Sequence, residues 1–320
     1  MLLPNIVAAT FSLTMLVLGA GVASGQDYPN KPVRIVTSSA GGSSDFTARL
    51  VAQGISGPLG QQVIVDNRAS GVIQAEIVSR APPNGYTLLI AGGTFLTFPL
   101  LQKAPYDPVR DFAPITLVEM AASVVTVHPA VPVKSVKELI ALAKARPGEL
   151  NYGASGKGGS SHMATELFKS MAGVNMVYVS YKGTGAAVTG LLSGEVQVAI
   201  FDPGMVLPHA KSGRLRALAV TSAQPSALAP GLPTVAASGV PGYEAAGITG
   251  LFAPAKTPAA IVARLNQEVV RFLRTPEAKE AFFKGGVEVV GNSPEQFAAA
   301  IKAGMDRTTK LIRDAGIKTD

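Results

Sequence analysis

The chain has 320 residues and a formal net charge of +7, with 47% hydrophobic and only 15% charged residues. This composition is typical of a globular protein, and the length allows one large domain or two smaller ones. The chain has no cysteine, which excludes a disulfide scaffold, a cysteine nucleophile and a thiolate metal site.

Charge and histidine spacing narrow the range of partners. A positive net charge favours anionic ligands. The lysines and arginines are scattered and form no run interleaved with aromatic residues, so we expect no nucleic-acid partner. The three histidines, His128, His162 and His209, lie far apart in the sequence and lack metal-ligand spacing. We therefore expect neither a metal nor a cofactor.

Residues 1–25 are predicted to be a signal peptide. An apolar stretch covers residues 6–22, and the small residues 23–25 follow it, which makes Gln26 the expected mature start. No lysine or arginine precedes the apolar stretch, which indicates an atypical signal or a start codon at another position. An uncleaved membrane anchor is the alternative. The rest of the chain has no second long apolar stretch, and we expect a soluble, periplasmic monomer.

From residue 33 onward, short β-rich runs alternate with helical patterns, which is typical of an α/β fold with parallel sheets. In the first part, strands are predicted at 33–36, 62–66, 86–91 and 115–118, and helices at 45–55 and 73–80. The composition shifts near residue 122. Strands are then predicted at 123–128, 150–154, 176–179, 196–201 and 215–221, and helices at 136–145, 162–172 and 187–192.

A passage rich in proline and glycine covers residues 225–242. After it, strands are predicted at 248–253 and 287–290, and helices at 259–273, 276–284 and 294–314. Because this part has too few strands for a sheet of its own, we expect it to pack on the first block. The predicted fold has two lobes. Lobe 1 is residues 26–122 plus 222–320, and lobe 2 is residues 123–221.

Two glycine- and serine-rich segments each follow a predicted strand and lead into a predicted helix. A helix N-terminus has free N–H groups and partial positive charge, and glycine lets the backbone approach a ligand closely. Two such ends that face one cleft would hold a small anion from both sides. The candidate ligand-binding residues are Ser38, Ser39, Ala40, Gly41, Gly42, Ser43, Ser44 and Asp45 in the first segment, and Gly156, Gly158, Gly159, Ser160, Ser161 and His162 in the second.

The second segment resembles two catalytic motifs without completing either. A P-loop ending at Lys157 needs glycine at 151 and serine or threonine at 158, where this chain has Asn151 and Gly158. A nucleophile elbow centred on Ser155 needs glycine at 157. His162 beside two serines could suggest hydrolysis, but triad members rarely adjoin in sequence. We expect a packing or ligand-contacting histidine instead.

Three further positions allow both a structural and a functional interpretation. Asp45 is expected to act as a first-turn acid of its helix, and could also orient loop amides or accept a hydrogen bond from a ligand. Tyr181 could place a donor over the cleft or sit in an ordinary turn. Asp202 ends an apolar strand, where acids of α/β sheets face the ligand crevice, or caps the next helix.

Several short segments, in this order and spacing, resemble the Bug (TctC-like) extracytoplasmic solute receptors of tripartite tricarboxylate transporters. The resemblance runs from about Tyr28 to the C-terminus. The segments that carry it are 28–34 (YPNKPVR), 40–45 (AGGSSD), 67–68 (NR), 84–89 (NGYTLL), 106–108 (YDP), 111–114 (DFAP), 152–166, 181–183 (YKG) and 250–254 (GLFAP).

The resemblance implies a two-lobed, type II periplasmic-binding-protein fold of the Venus-flytrap kind, with the ligand cleft between the lobes. It also implies that the protein is not an enzyme and holds a small carboxylate between the two glycine segments. Backbone amides, hydroxyls and waters would grip the ligand, with Asp202 as a less certain contributor. A membrane transporter would receive the ligand.

The chain departs from the family pattern near the first segment. It has Thr37 to Ala40 where the family usually has an aromatic residue and prolines, and residues 69–71 shorten a glycine-rich stretch. The added hydroxyls suggest a more polar ligand. Two alternative functions stay open at this point. One is an enzyme acting on a small carboxylate or phosphate ester, and the other is a sensor that feeds a signalling partner.

Overall fold

A computed structural model describes residues 28–68, 71–154, 156 and 158–314. The predicted signal peptide therefore lies outside the described residues. Within the described ranges, no helix combines the length and the apolarity that crossing a membrane would require.

The helices and strands of the described residues follow one another in this order: β1 (Val33–Thr37), α1 (Ser43–Leu59), β2 (Val63–Asn67), α2 (Gly71–Ser79), β3 (Thr87–Gly92), α3 (Gly93–Leu101), β4 (Phe112–Ala121), β5 (Val124–Val127), α4 (Val136–Ala145), β6 (Asn151–Ala154), α5 (Ser160–Ala172), β7 (Val177–Ser180), α6 (Thr184–Ser193), β8 (Val198–Phe201), α7 (Pro203–Lys211), β9 (Arg216–Val220), β10 (Gly247–Pro254), α8 (Ala259–Leu273), α9 (Pro276–Lys284), β11 (Glu288–Val289) and α10 (Pro294–Asp314).

The strands form two mixed sheets. The first has six strands in the order β11-β4-β10-β3-β1-β2, and the second has five in the order β7-β6-β8-β5-β9. β1 runs parallel to β2 and β3, whereas β10 is antiparallel to β3 and β4. β6 runs parallel to β7 and β8, and β5 is antiparallel to β8 and β9. The predicted two-lobed α/β architecture is therefore observed as two sheets.

Each sheet is covered by helices on both faces. In the first sheet, alternate residues of β1 and β3 enter different cores, because successive strand side chains point to opposite faces. Val33 and Ile35 pack with α1 and α8, while Val36 packs with an aromatic cluster that includes Phe95 and Phe297. Burial of this much apolar surface is the main force that holds the strands in place.

The chain passes from the first sheet to the second between Ala121 and Val124, and a return segment precedes β10. The backbone N–H of Ser123 donates to Thr221 Oγ1 at 2.8 Å, which ties the outgoing crossing to the end of β9. Several residues beyond 221, among them Val235 and Tyr243, pack in the core of the second sheet. The lobe boundaries stay a prediction, and this packing favours a return crossing close to Gly247.

Two predicted helix starts were wrong in a way that matters for the site. The predicted helices at 45–55 and 162–172 begin earlier, at Ser43 and Ser160. The serines of both glycine segments therefore belong to the first turn of a helix. α3 and α7 were not predicted, because each contains an internal proline and lacks a polar face of regular period.

Candidate functional site

Several helix N-termini lie at the carboxyl edges of the parallel strands. α1 and α3 follow β1 and β3, which are neighbours in the first sheet, and α5, α6 and α7 follow the neighbouring strands β6, β7 and β8. The N-cap residues of these five helices make no side-chain cap hydrogen bond; they are Gly42, Gly92, Gly159, Gly183 and Asp202.

Two helices elsewhere, α4 and α9, have side-chain caps, whereas α8, which has Pro258 at its N-cap, has none. Ser135 accepts a hydrogen bond from the Glu138 amide at the start of α4, and Thr275 accepts one from Ala278 at the start of α9. A side-chain cap satisfies one of the free N–H groups of the first turn. The five helices at the strand edges have no such cap, so another acceptor can bind their first-turn N–H groups. An anion-binding site needs this arrangement.

The first glycine loop, residues 38–42, is held together by the side chain of Asp45. Gly41 has a φ of 81°, in the left-handed region that favours glycine. Its N–H donates to Asp45 Oδ2 at 2.9 Å, and Asn67 Nδ2 donates both to Asp45 Oδ1 and to the Ser38 carbonyl at 2.8 Å. Arg49, one turn later on α1, pairs with the same carboxylate at 3.0 Å.

Asp45 is only 4% exposed and carries its charge in the fold. Burial alone would raise the pKa of this carboxyl, but hydrogen bonds from Asn67, Gly41 and Arg49, together with the charge of Arg49, bring the pKa below its ordinary value. Asp45 therefore orients the loop amides, as one of its two predicted roles requires. Its oxygens have three partners in and around the loop, and its predicted contact with a ligand stays a prediction.

The second glycine loop, residues 156–159, has a closely similar design. Gly156 and Gly158 have φ values of 97° and 79°. The N–H of Gly158 donates to Nδ1 of His162 at 3.3 Å, and His162 is only 4% exposed. The acceptor role of Nδ1 assigns His162 as the neutral tautomer with its proton on Nε2.

An aromatic and charged row supports His162. The ring of Tyr178 meets the imidazole edge-on with 4.6 Å between centroids, and Tyr178 stacks on Tyr152 at 5.4 Å. The hydroxyl of Tyr152 donates to Glu166, which also pairs with Lys169 at 2.6 Å. The imidazole is thus held by its contact with the Tyr178 ring and by the hydrogen bond from the Gly158 amide.

The structure places the predicted loop residues in two environments. Ser39, Ala40, Gly41, Gly42, Ser43 and Ser160 are exposed, while Ser44 and Ser161 are buried at the first turn of their helices. Ser38, Gly156, Gly158 and Gly159 are intermediate. Ser155 and Lys157 lie outside the described residues.

Asp202 lies apart from both glycine loops in the sequence, at the N-cap of α7. Its Oδ1 accepts from the hydroxyl of Ser123 at 3.3 Å, and Asp202 itself is exposed. Ser123 belongs to the crossing between the sheets, so Asp202 is connected to that crossing. Its predicted contact with a ligand stays a prediction.

Tyr181 does not place a donor over an open edge. Its ring fills the space above two glycines: a Cβ at Gly190 would lie 2.2 Å from the Tyr181 hydroxyl, and one at Gly153 would lie 3.2 Å from the ring. The hydroxyl is buried. The structural interpretation of Tyr181, as part of the turn between β7 and α6, is therefore the correct one.

Two groups near the first loop were missed by sequence reasoning. Gly92 and Gly93 start α3 beside α1, and a Cβ at Gly92 would lie 3.7 Å from Ser44 Oγ. Thr249 on β10 and Glu119 on β4 are buried next to them in the sheet register. Gly92 and Gly93 follow a strand directly, which is the same signal that indicated the other two loops. The two buried polar residues carried no sequence signal.

Within the part of the chain that the structure describes, His162 is not arranged as the histidine of a catalytic triad. In a catalytic triad the histidine must be free to take a proton from a nucleophile while its other nitrogen is oriented by an acid. The Nδ1 of His162 instead receives the Gly158 amide. Across the described ranges, no group of three or more histidines, aspartates or glutamates is arranged to hold a metal ion.

The family model described as "Tripartite tricarboxylate transporter family receptor" matches residues 47–317. The chain belongs to this family. It is 34% identical over 308 residues to protein BugT of Bordetella pertussis, an alignment that covers 93% of this chain and 94% of BugT. The resemblance predicted from the sequence is therefore confirmed.

Solved structures agree with the family assignment. Rpa4515 of Rhodopseudomonas palustris, solved with adipate, is 36% identical with a TM-score of 0.71, and the match covers 91% of this chain and 99% of that protein. MatC from the same organism, solved with bound malate, is 27% identical with a TM-score of 0.67, covering 89% and 100%. The predicted fold is confirmed, and the family consists of receptors rather than enzymes, as predicted.

Proposed function

We propose that this protein is an exported, periplasmic receptor that binds a small organic carboxylate between its two glycine loops and delivers it to a tripartite transporter. The observation that carries the proposal is the set of uncapped helix N-termini at the carboxyl edges of both sheets. The amides of a helix N-terminus and the helix dipole favour a negative group there, with no cationic side chain required.

The carboxylate class is supported by the relatives and by the loops. Adipate and malate are carboxylates, and they are the ligands named for two related structures. Both glycine loops use their own side chains, Asp45 and His162, to fix an amide in place. Preorganised amides lose little entropy when an anion binds, which raises affinity.

Closure of the two lobes would convert binding into a change of shape. The outgoing crossing beside Ser123 and the return crossing near Gly247 lie side by side, because Ala121 and Gly247 are paired, so a few residues can absorb a hinge rotation. Because Ser123 donates a hydrogen bond to the exposed Asp202, the rotation would change the surroundings of Asp202. A transporter subunit would then recognise the closed form of a monomeric receptor.

The hydroxyl groups of the first loop favour a polar ligand over an aromatic one. Ser38, Ser39, Ser43 and Ser44 surround this end of α1, and two of them are exposed. A hydroxyl can donate to a ligand carboxylate or accept from a ligand hydroxyl. We therefore expect hydroxylated or short dicarboxylates to bind more tightly than aromatic monocarboxylates.

Thermal unfolding of residues 26–320 in the presence of a carboxylate panel tests the proposal. A ligand at one hundred times its Kd stabilises the folded state by about 2.7 kcal/mol, which raises the melting temperature clearly. We expect malate, adipate or a related dicarboxylate to do so, with isothermal titration confirming one site per chain. A protein stabilised only by sugars or cations, and by no carboxylate, would contradict the proposal.

A matched pair of variants locates the site. Gly159→Pro removes an amide at the N-terminus of α5, whereas Ser135→Ala changes the capped helix α4 elsewhere in the same lobe. We expect the first to abolish the carboxylate response and the second to lower stability by about 1 kcal/mol with unchanged affinity. Equal losses of affinity would place the ligand elsewhere.

A further inference from the structure

A buried acid, Glu119, lies under the first glycine loop. Thr249 pairs with Gly92 on one side and with Glu119 on the other, so these three residues form a row across β3, β10 and β4. Gly92 is the N-cap of α3 and ends β3 at the carboxyl edge. Glu119 is 3% exposed, and it therefore belongs to the floor beneath this edge of the sheet.

Among the described residues, the surroundings of Glu119 contain hydroxyls and no cation. Thr47 on α1 and Thr249 on β10, both buried, are hydrogen-bonding neighbours of the carboxyl, while Glu119 Oε2 has no hydrogen-bond partner. Burial raises the pKa of Glu119 above its ordinary value, and the two threonine hydroxyls only partly oppose this effect. An uncompensated buried charge is costly, so this site favours the protonated acid.

Contacts connect Glu119 to the first loop. A Cβ placed at Gly92 would lie 3.6 Å from Thr249 Oγ1 and 3.7 Å from Ser44 Oγ, so both hydroxyls border the same spot. Ser44 belongs to the first turn of α1, and Thr47, on the same helix, bonds the acid directly. The carboxyl is thus one side chain away from the amides that would hold an anion.

Few other charges face this region. α1 brings Asp45 and Arg49, which neutralise each other. β11, the other neighbour of β4, brings Glu288, which accepts from Ser226 and Ala227. β10 and β3 have no charged residue, and the charged side chains of α10 are exposed. α8 brings Glu268, which pairs with Arg264 and Arg271.

We propose that Glu119 is a positioning residue of the first half of the binding site, which binds an anion more tightly while Glu119 carries its proton. Loss of that proton would place a second carboxylate beneath the first turn of α1, beside Asp45. Asp45 has Arg49 as its partner, but Glu119 has no cation. The new charge would attract the hydroxyls of Thr47 and Thr249 and repel a carboxylate ligand at the same helix end.

Amide NMR on the ligand-free protein tests the first half of the proposal without any ligand. We expect the amide signals of Gly41, Gly42 and Ser44 to shift together between pH 5 and pH 8, and to stay constant in Glu119→Gln. Glu268→Gln is the matched control, an equally buried acid of the same lobe that is paired with arginines. Its loop amides should titrate as in the unchanged protein.

The three histidines do not confuse this measurement, because all of them lie in the part of the chain that forms the second sheet. If Glu119→Gln does not fold, Thr249→Val serves instead, since it keeps the acid and removes its hydroxyl link to the Gly92 edge. Loop amides that do not titrate in the unchanged protein, or that titrate equally in Glu119→Gln, would overturn the proposal.

Binding of adipate, measured by calorimetry at pH 5 and pH 8, tests the second half, which rests on the proposed function. We expect affinity to fall about tenfold more in the unchanged protein than in Glu119→Gln. Titration of adipate itself is common to both proteins and cancels in this ratio. A ratio of one would overturn the proposal even though adipate binds. If no carboxylate binds, the proposed function fails and the NMR titration still decides the role of Glu119.

Discussion

The two glycine loops share one backbone design and differ in charge. In each, a glycine with positive φ donates its N–H to the side chain four residues later, and an extended glycine starts the helix. The sequences Gly-Gly-Ser-Ser-Asp and Gly-Gly-Ser-Ser-His end in Asp45 and His162 respectively. One turn later stands Arg49 in the first loop and Glu166 in the second.

Because of this difference, we expect the two glycine loops to bind a carboxylate with different affinities. The first loop is fixed by an anion that Arg49 neutralises, and the second by a neutral imidazole. A carboxylate bound at the second helix end would face a neutral imidazole, whereas one bound at the first would lie near Asp45. We therefore expect the second loop to bind a carboxylate more tightly than the first.

His162→Asp should have the largest effect, because it copies the first loop into the second without the arginine. Two unit charges about 6 Å apart at an effective dielectric of about 20 repel by ~3 kcal/mol, which is about a hundredfold in Kd. Calorimetry with adipate measures this. His162→Asn keeps an acceptor for the Gly158 amide and should bind within a few-fold of the unchanged protein. Equal affinity of both variants would contradict the expectation that a carboxylate binds at the second loop.

Asp45→Asn should act on stability more than on affinity. The substitution leaves the Arg49 guanidinium without its carboxylate and turns an amide toward Asn67, so we expect the free energy of unfolding to fall by about 1–3 kcal/mol. Urea unfolding measures it. Asp306→Asn is the control, since its ion pair with Lys302 is exposed and should change stability by less than about 0.5 kcal/mol.

The two acids of the first half should have opposite pH effects on stability. The pKa of Asp45 is below its ordinary 3.8 in the fold, so its contribution exists above that value and is lost as pH falls. The pKa of Glu119 is above its ordinary 4.5, so stability is lost as pH rises from there. Urea unfolding at pH 5 and pH 8 should therefore show a decline that Glu119→Gln reduces. A decline of the same size in the variant would show that Glu119 is ionised in the folded protein throughout.

Serine substitutions at the N-cap residues Gly42 and Gly159 should have the smallest effect on stability. They also distinguish the two loops as binding sites. Gly42 and Gly159 have φ values of −83° and −68°, which any residue adopts. A serine cap should stabilise each helix by a few tenths of a kcal/mol, yet occupy an amide that a ligand needs. We expect Gly159→Ser to weaken adipate binding more than Gly42→Ser. The reverse order would assign the carboxylate to the first loop.

The last three helices were predictable to the residue, whereas β10 and β11 differ from their predicted bounds by one residue at each end. α8, α9 and α10 have their predicted bounds because prolines stand at or just before their starts and apolar residues recur along one face, as with Ile261, Leu265 and Val269. α3 and α7 were not predictable by the same rule. Their internal residues Pro99 and Pro208 contradict helix propensity, and tertiary packing of residues such as Phe95 overrides it.

The candidate site was also predictable only in part. The glycine loops were predictable because each signal is local: a strand, glycines and a helix start follow one another in the sequence. Glu119 was not, since a single glutamate in an apolar strand shows no pattern. Its surroundings depend on the register that brings Thr249 beside it, and register is set by the whole sheet.

The pairing of β4 with β10 has a consequence for how the molecule could be divided. Ala121 and Gly247 are partners in this antiparallel pair, so residues 122–246 form an insertion at the end of a hairpin. A two-residue turn in their place would close the hairpin again. Such a shortened chain would keep the complete six-stranded sheet and only one glycine loop, a half-receptor on which the anion affinity of a single helix end can be measured directly.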